Sequence, residues 1–232
     1  MYLEIEKYGN INNALNSEFA KIKSPLRVQE SESIDKFPLT YALVEYRNKF
    51  SQIYLAGKKH VFLPDFWRDG VCLANGQTNE LNELVRVVDF WLLNDVSTNE
   101  LSETFIWVKP NKKAIAFDEN RAVEYAWNSY LKNEIFKDFQ EFIEIAKQDE
   151  IIGKLFPFTS LMRLCFSRCT GYPYTYDIPI VIPIIDEKGK YEVRSSNDVI
   201  IGRGTAIQTL KMLKSHLPKN IKPAVKGTAD DL

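Results

Sequence analysis

Apolar residues first recur at helical spacing at Ile11, Ala14, Leu15, Phe19 and Ile22, which predicts an amphipathic helix over residues 10–22. A polar run over 24–38 follows and reads as an exposed connector. From residue 39 the pattern shortens. The runs TYALVEYR, FSQIYLAG, KHVFLPDFW and GVCLANG are separated by turn residues at Asn48 with Lys49, Gly57 with Lys58 and Asp69 with Gly70. Such spacing predicts an antiparallel meander. Leu81, Leu84, Val85, Val88 and Leu92 then mark a helix whose apolar stripe covers one face of that sheet.

Ser97 and Glu100 fit a capping box, so another helical turn is expected to start there. Residues 105–108 and 113–117 read as a second hairpin. Ala122, Val123, Ala126, Trp127, Tyr130 and Leu131 predict one helix, and Ile135, Phe136, Phe139, Phe142, Ile143 and Ala146 the next. After Phe156 and Pro157 the strand-like runs LMRLCFSR, DIPIVIPII, KYEVR and DVIIG precede a helix over 205–217, opened by a Thr205/Gln208 capping box. The expectation is an α+β chain: an antiparallel meander with covering helices, then a four-strand-plus-helix C-terminal module. Its segments are 1–37 (N-terminal helix and connector), 38–152 (sheet and helices) and 153–232 (the module).

Composition supports an ordinary core. Of 232 residues, 45% are hydrophobic, and 14 Phe, 11 Tyr and 4 Trp supply large apolar groups. The net charge of −1 argues against a nucleic-acid binder, which needs a basic surface. That balance hides a polarity: residues 80–150 hold fifteen acidic and eight basic side chains, whereas 154–232 hold seven acidic and twelve basic. Either block is available to attract the other or a partner. Three cysteines do not build a disulfide framework, no basic-then-apolar leader opens the chain, and no apolar run approaches membrane-spanning length. A cytoplasmic protein with neither nucleic acid nor membrane as partner is expected.

No catalytic, metal or cofactor constellation is complete. The run Gly202-Arg203-Gly204-Thr205 lies where a phosphate loop belongs but lacks both the third glycine of a dinucleotide fingerprint and the Gly-Lys-Ser/Thr of a P-loop, so it reads as a strand-to-helix turn. Cys165 and Cys169 have no second Cys/His pair to complete a tetrahedral site, and neither His60 nor His216 belongs to a motif. A pair of carboxylates on the helices of 118–150 needs a separation for glycoside chemistry that spacing alone does not set. No metal, no cofactor and no enzymatic activity are expected. The distinctive segment is Arg168-Cys-Thr-Gly-Tyr-Pro-Tyr-Thr-Tyr-Asp177, because tyrosine and arginine combine contact area with hydrogen bonding at binding hot spots.

The run LFPFTSLMRLCFSRCTGYPYTYDIPIVIPI, followed by YEV, IIGRGTAIQTL and LPKNIKPAVKGTADDL, resembles a bacterial family of uncharacterised domains labelled natural-product-biosynthesis proteins. The resemblance covers about 155–232, and some members lie beside secreted polymorphic toxins. It implies an immunity-type protein that binds and neutralises a cognate bacterial toxin or effector domain by protein–protein contact. The residues expected to make that contact are Asp138, Glu141, Glu144, Arg168, Tyr172, Tyr174 and Tyr176. The alternative is an accessory protein or enzyme of small-molecule metabolism, gripping an anionic ligand with Arg163, Arg168 or the Gly202 turn.

Overall fold

The structure, a computed structural model, describes residues 2–28 and 41–232. The 29–38 part of the expected connector lies outside the described residues. The chain divides into two compact units, Met1–Asp118 and Glu119–Leu232. It is α+β, with one five-stranded antiparallel sheet in each unit.

In the first unit a short helix α1 (Leu3–Glu6) precedes α2 (Ile11–Lys21), which Asn10 caps by accepting from Asn13 N at 2.8 Å. The meander follows as β1 (Tyr41–Tyr46), β2 (Lys49–Leu55), β3 (Phe62–Arg68) and β4 (Val71–Gly76). Asp69 and Gly70 both take positive φ between β3 and β4, as the preferred two-residue hairpin turn requires. Helix α3 (Leu81–Leu93) buries Leu84, Val85, Val88 and Trp91 against the sheet. The capping box at Ser97 and Glu100 opens α4 (Thr98–Thr104).

The second hairpin expected over 105–117 does not form. Val108–Pro110 (β5) instead adds a fifth strand beside β4, pairing Gly76 with Val108 and Ala74 with Pro110. The chain then turns at Asn111, whose carbonyl accepts from Ala114 N, into helix α5 (Ala114–Asp118). Alanines at 114 and 116 favour that helix, and Ala114 and Phe117, three apart, are both buried.

The second unit opens with α6 (Ala122–Leu131). The helix expected across 135–146 is broken: Glu134–Phe139 is a 3₁₀ turn with non-helical angles at Phe136, and α7 (Gln140–Gln148) follows. Asn133 caps the turn through Ile135 N, and Phe136 leaves the helical path to set its ring edge-on to Tyr130 at 4.8 Å. The sheet runs β6 (Phe156–Ser160), β7 (Arg163–Ser167), β8 (Ile180–Pro183), β9 (Lys190–Arg194) and β10 (Ile200–Thr205), one strand more than the pattern predicts. The extra strand is β6. Its Pro157 reads as a breaker, yet β6 is an edge strand, where a missing N–H is tolerated.

Helix α8 (Ala206–Ser215) starts at the Thr205/Gln208 capping box. One sheet face, with Leu164, Phe166, Val181 and Tyr191, packs with Trp127, Phe142, Ile143 and Leu213 of the helices into a single core. Helices α6 and α7, placed by the sequence segmentation with the preceding sheet, thus supply the core of the second unit. The Gly202–Gly204 run lies within β10 rather than in a turn. A Cβ at Gly202 would come within 2.6 Å of Met212 Sδ, and one at Gly204 within 2.7 Å of Gln208 Cβ, so the glycines let α8 sit close on its strand.

Candidate functional site

The tyrosine-rich segment links β7 to β8, and its backbone is fixed from two sides. Inside, the buried Ser167 hydroxyl accepts from Cys169 N and Thr175 N, both at 3.1 Å, while Thr175 Oγ1 accepts from Arg168 N at 3.0 Å. Outside, the C-terminal tail straps it: Val225 N donates to Arg168 O, Thr170 N to Val225 O, Gly171 N to Gly227 O and Ala229 N to Pro173 O, at 2.8 to 3.0 Å. Short polar side chains and a neighbouring strand of chain satisfy backbone groups that a flexible loop would leave to water.

The three tyrosines then take different parts. Tyr174 stacks on Phe158 at 4.3 Å and Phe156 at 5.7 Å, and burial pushes its phenol up to about 12. It anchors the loop to the sheet face opposite the helices, because Phe158 pairs with Cys165, whose side chain alternates away from core-facing Leu164 and Phe166. Tyr172 rests its ring edge on Tyr174 and stays 63% exposed, and Tyr176 rests on Phe158 and stays 58% exposed. Two aromatic rings are thereby held out to solvent on an ordered backbone, with Arg168 ion-paired to Asp177 at 2.9 Å beside them.

Asp138, Glu141 and Glu144 are brought together, but elsewhere. Spaced by three, they share one side of the Phe136 break and α7, opposite the buried Phe139, Phe142 and Ile143. They line a cleft of about 500 Å³ whose other wall is the β8–β9 hairpin, with Ile185, Lys188 and Lys190. Because β8 starts at the tyrosine loop and ends at this hairpin, the acidic trio and the tyrosines occupy opposite ends of the sheet. The residues expected to contact a partner are therefore not gathered in one place.

The arginines considered for anion binding have internal carboxylate partners. Arg163 Nη1 donates to Asp198 at 2.9 Å, and Arg203 Nε donates to Glu192 at 2.7 Å. Burial alone would raise the Glu192 carboxyl, but hydrogen bonds from Arg194 and Arg203 outweigh it and hold the group below its ordinary value. His60 pairs with Glu4, and His216 ends α8 with Nδ1 against Met212 O. Cys165 is a buried thiol pushed up to about 11 by burial, which suppresses the reactive thiolate. Among the described residues no group of three or more His, Cys, Asp or Glu side chains is arranged to hold a metal ion, and no helix is long and apolar enough to cross a membrane.

Sequence reasoning missed Tyr191, Lys188 and Lys190, which complete the cleft, and the tail over 224–229 that braces the loop. Tyr191 sits in an alternating strand and reads as core; only the hairpin's placement over α7 shows what its hydroxyl faces.

A family model described as a family of unknown function (DUF6193) matches residues 121–228. That match spans nearly the whole second unit, both candidate sites included, and none of Met1–Asp118. No curated protein matches the chain, and no solved structure does.

Proposed function

We propose that this chain is a non-enzymatic binding protein of the immunity type, which engages a cognate bacterial toxin or effector domain through the tyrosine loop of its second unit. One observation carries this reading: Tyr172 and Tyr176 are exposed on a backbone already fixed by Ser167, Thr175 and the C-terminal tail. A rigid loop loses little entropy on binding, so the area its rings bury is retained as affinity. The resemblance over 155–232 supplies the class of partner. The acidic trio lies at the other end of the sheet and takes no part in this contact.

The test is co-expression of the full chain with the product of the neighbouring gene. The reading expects a stable complex and relief of that product's growth inhibition. Absence of both, with both proteins soluble, would overturn it.

A further inference from the structure

The cleft between α7 and the β8–β9 hairpin has features that a solvated helix face does not require. Its helix-side wall presents Glu141 and Glu144 with Asp138, and its hairpin wall presents Lys188 and Lys190. Among the described residues none of these five is engaged in an ion pair. Opposite charges thus line one cleft with no ion pair formed between its two walls.

At the base lies Tyr191, 1% exposed, with its ring tilted on Phe142 at 5.6 Å. Its hydroxyl is buried without a hydrogen-bond partner among the described residues. Burial raises the phenol above its ordinary value, the nearby Phe142 backbone opposes that shift, and the charges of Glu141 and Asp138 add to it. Tyr191 lines the same cleft as Asp138, Glu141 and Glu144. A buried hydroxyl without a partner is unfavourable, and a ligand supplying that partner would remove the penalty. Residue 189 of the hairpin is glycine at a φ of +74°, which other residues rarely adopt, and a Cβ there would meet the tip of the Glu141 side chain, Oε2, at 2.8 Å.

We infer that this cleft binds a small zwitterion of the amino-acid or short-peptide class, its ammonium held by Glu141, Glu144 and the Tyr191 hydroxyl and its carboxylate by Lys188 and Lys190. Walls of opposite charge suit a ligand that carries both an ammonium and a carboxylate. A cavity of about 500 Å³ accommodates a ligand of that size. The inference is independent of the tyrosine-loop reading, which concerns the opposite end of the sheet.

The probes are alanine and trialanine, each also in N-acetylated and C-amidated form, titrated into the isotope-labelled full chain with amide resonances followed by NMR. The expected result is saturable shifts at 138–144 and 184–191 with alanine or trialanine, weakened at least roughly tenfold by blocking either end. Glu141→Gln with Glu144→Gln should weaken the free ligand by a similar factor while leaving the N-acetylated form unchanged. Tyr191→Phe, which preserves the packed ring, should weaken the free ligand severalfold. Absence of saturable shifts with both free probes, or equal binding of free and blocked forms, would overturn the inference.

Discussion

Leu161 and Met162 form the two-residue turn between β6 and β7 with φ of 47° and 62°, and they are 93% and 53% exposed. Two bulky residues in the left-handed region, pointing at water, oppose both steric and hydrophobic preference. Leu161→Asn with Met162→Gly is expected to stabilise the chain by about 1–2 kcal/mol in urea unfolding, because that pair fits the turn without strain. An unchanged or lower stability would mean that the turn is not strained. Sequence shows residue type but not this kind of mismatch. It likewise groups Tyr172, Tyr174 and Tyr176, although Tyr174 is the anchor and only its neighbours are presented to solvent. What separates them is the position of Phe156 and Phe158 beneath the loop, a cross-strand relation that local pattern does not encode.

Elements bounded by local chemistry were legible. The Ser97 and Thr205 capping boxes, the meander turn at Asp69 and the stripe of α3 all depend on residues a few positions apart. Those decided by distant packing were not: β5 is a strand only because β4 offers it an edge, and β10 holds its glycines only because α8 lies close.

Two carboxylates at element ends make this dependence measurable. Asp118 closes α5 and pairs with Arg68 at low exposure, and it also accepts from Thr98 N and Oγ1 at 2.8 and 2.6 Å. Asp118→Ala should cost about 3–5 kcal/mol in chemical denaturation, since it strands a buried guanidinium; a cost below about 1 kcal/mol would show that the pair is not buried in solution.

Asp149 follows α7 and accepts from Lys214 Nζ at 2.6 Å and from Ile151 N and Ile152 N at 2.9 Å. Burial alone would raise its carboxyl, but these bonds hold it below the ordinary 3.8. A lowered native pKa means stabilisation that is complete above the unfolded value and lost as pH falls through the native one. Asp149→Ala is therefore expected to cost about 1–3 kcal/mol at neutral pH, with the gap to the native chain narrowing below pH 4. A gap independent of pH would contradict the assignment.

At the scale of the whole molecule, the charge polarity along the chain is partly resolved inside the second unit, where Lys214 from the basic segment meets Asp149 from the acidic one. What is left over separates into two ends of one sheet, a charged cleft over α7 and a braced aromatic loop. The family match over 121–228 covers both and describes neither. The fold class was readable from periodicity and turn residues, and so was the clustering of the acidic trio and of the tyrosines along the chain. Their division into two sites was not, because it follows from strand order and the direction of β8.

The claim that the tyrosine loop is the contact surface is tested most directly by the dissociation constant between the full chain and the product of the neighbouring gene. The comparison is the native chain against Tyr172→Ala with Tyr176→Ala. Two central aromatic anchors predict a rise of about a hundredfold or more, with thermal unfolding of the chain itself nearly unchanged because both rings are exposed. A complex of undiminished affinity would contradict the account.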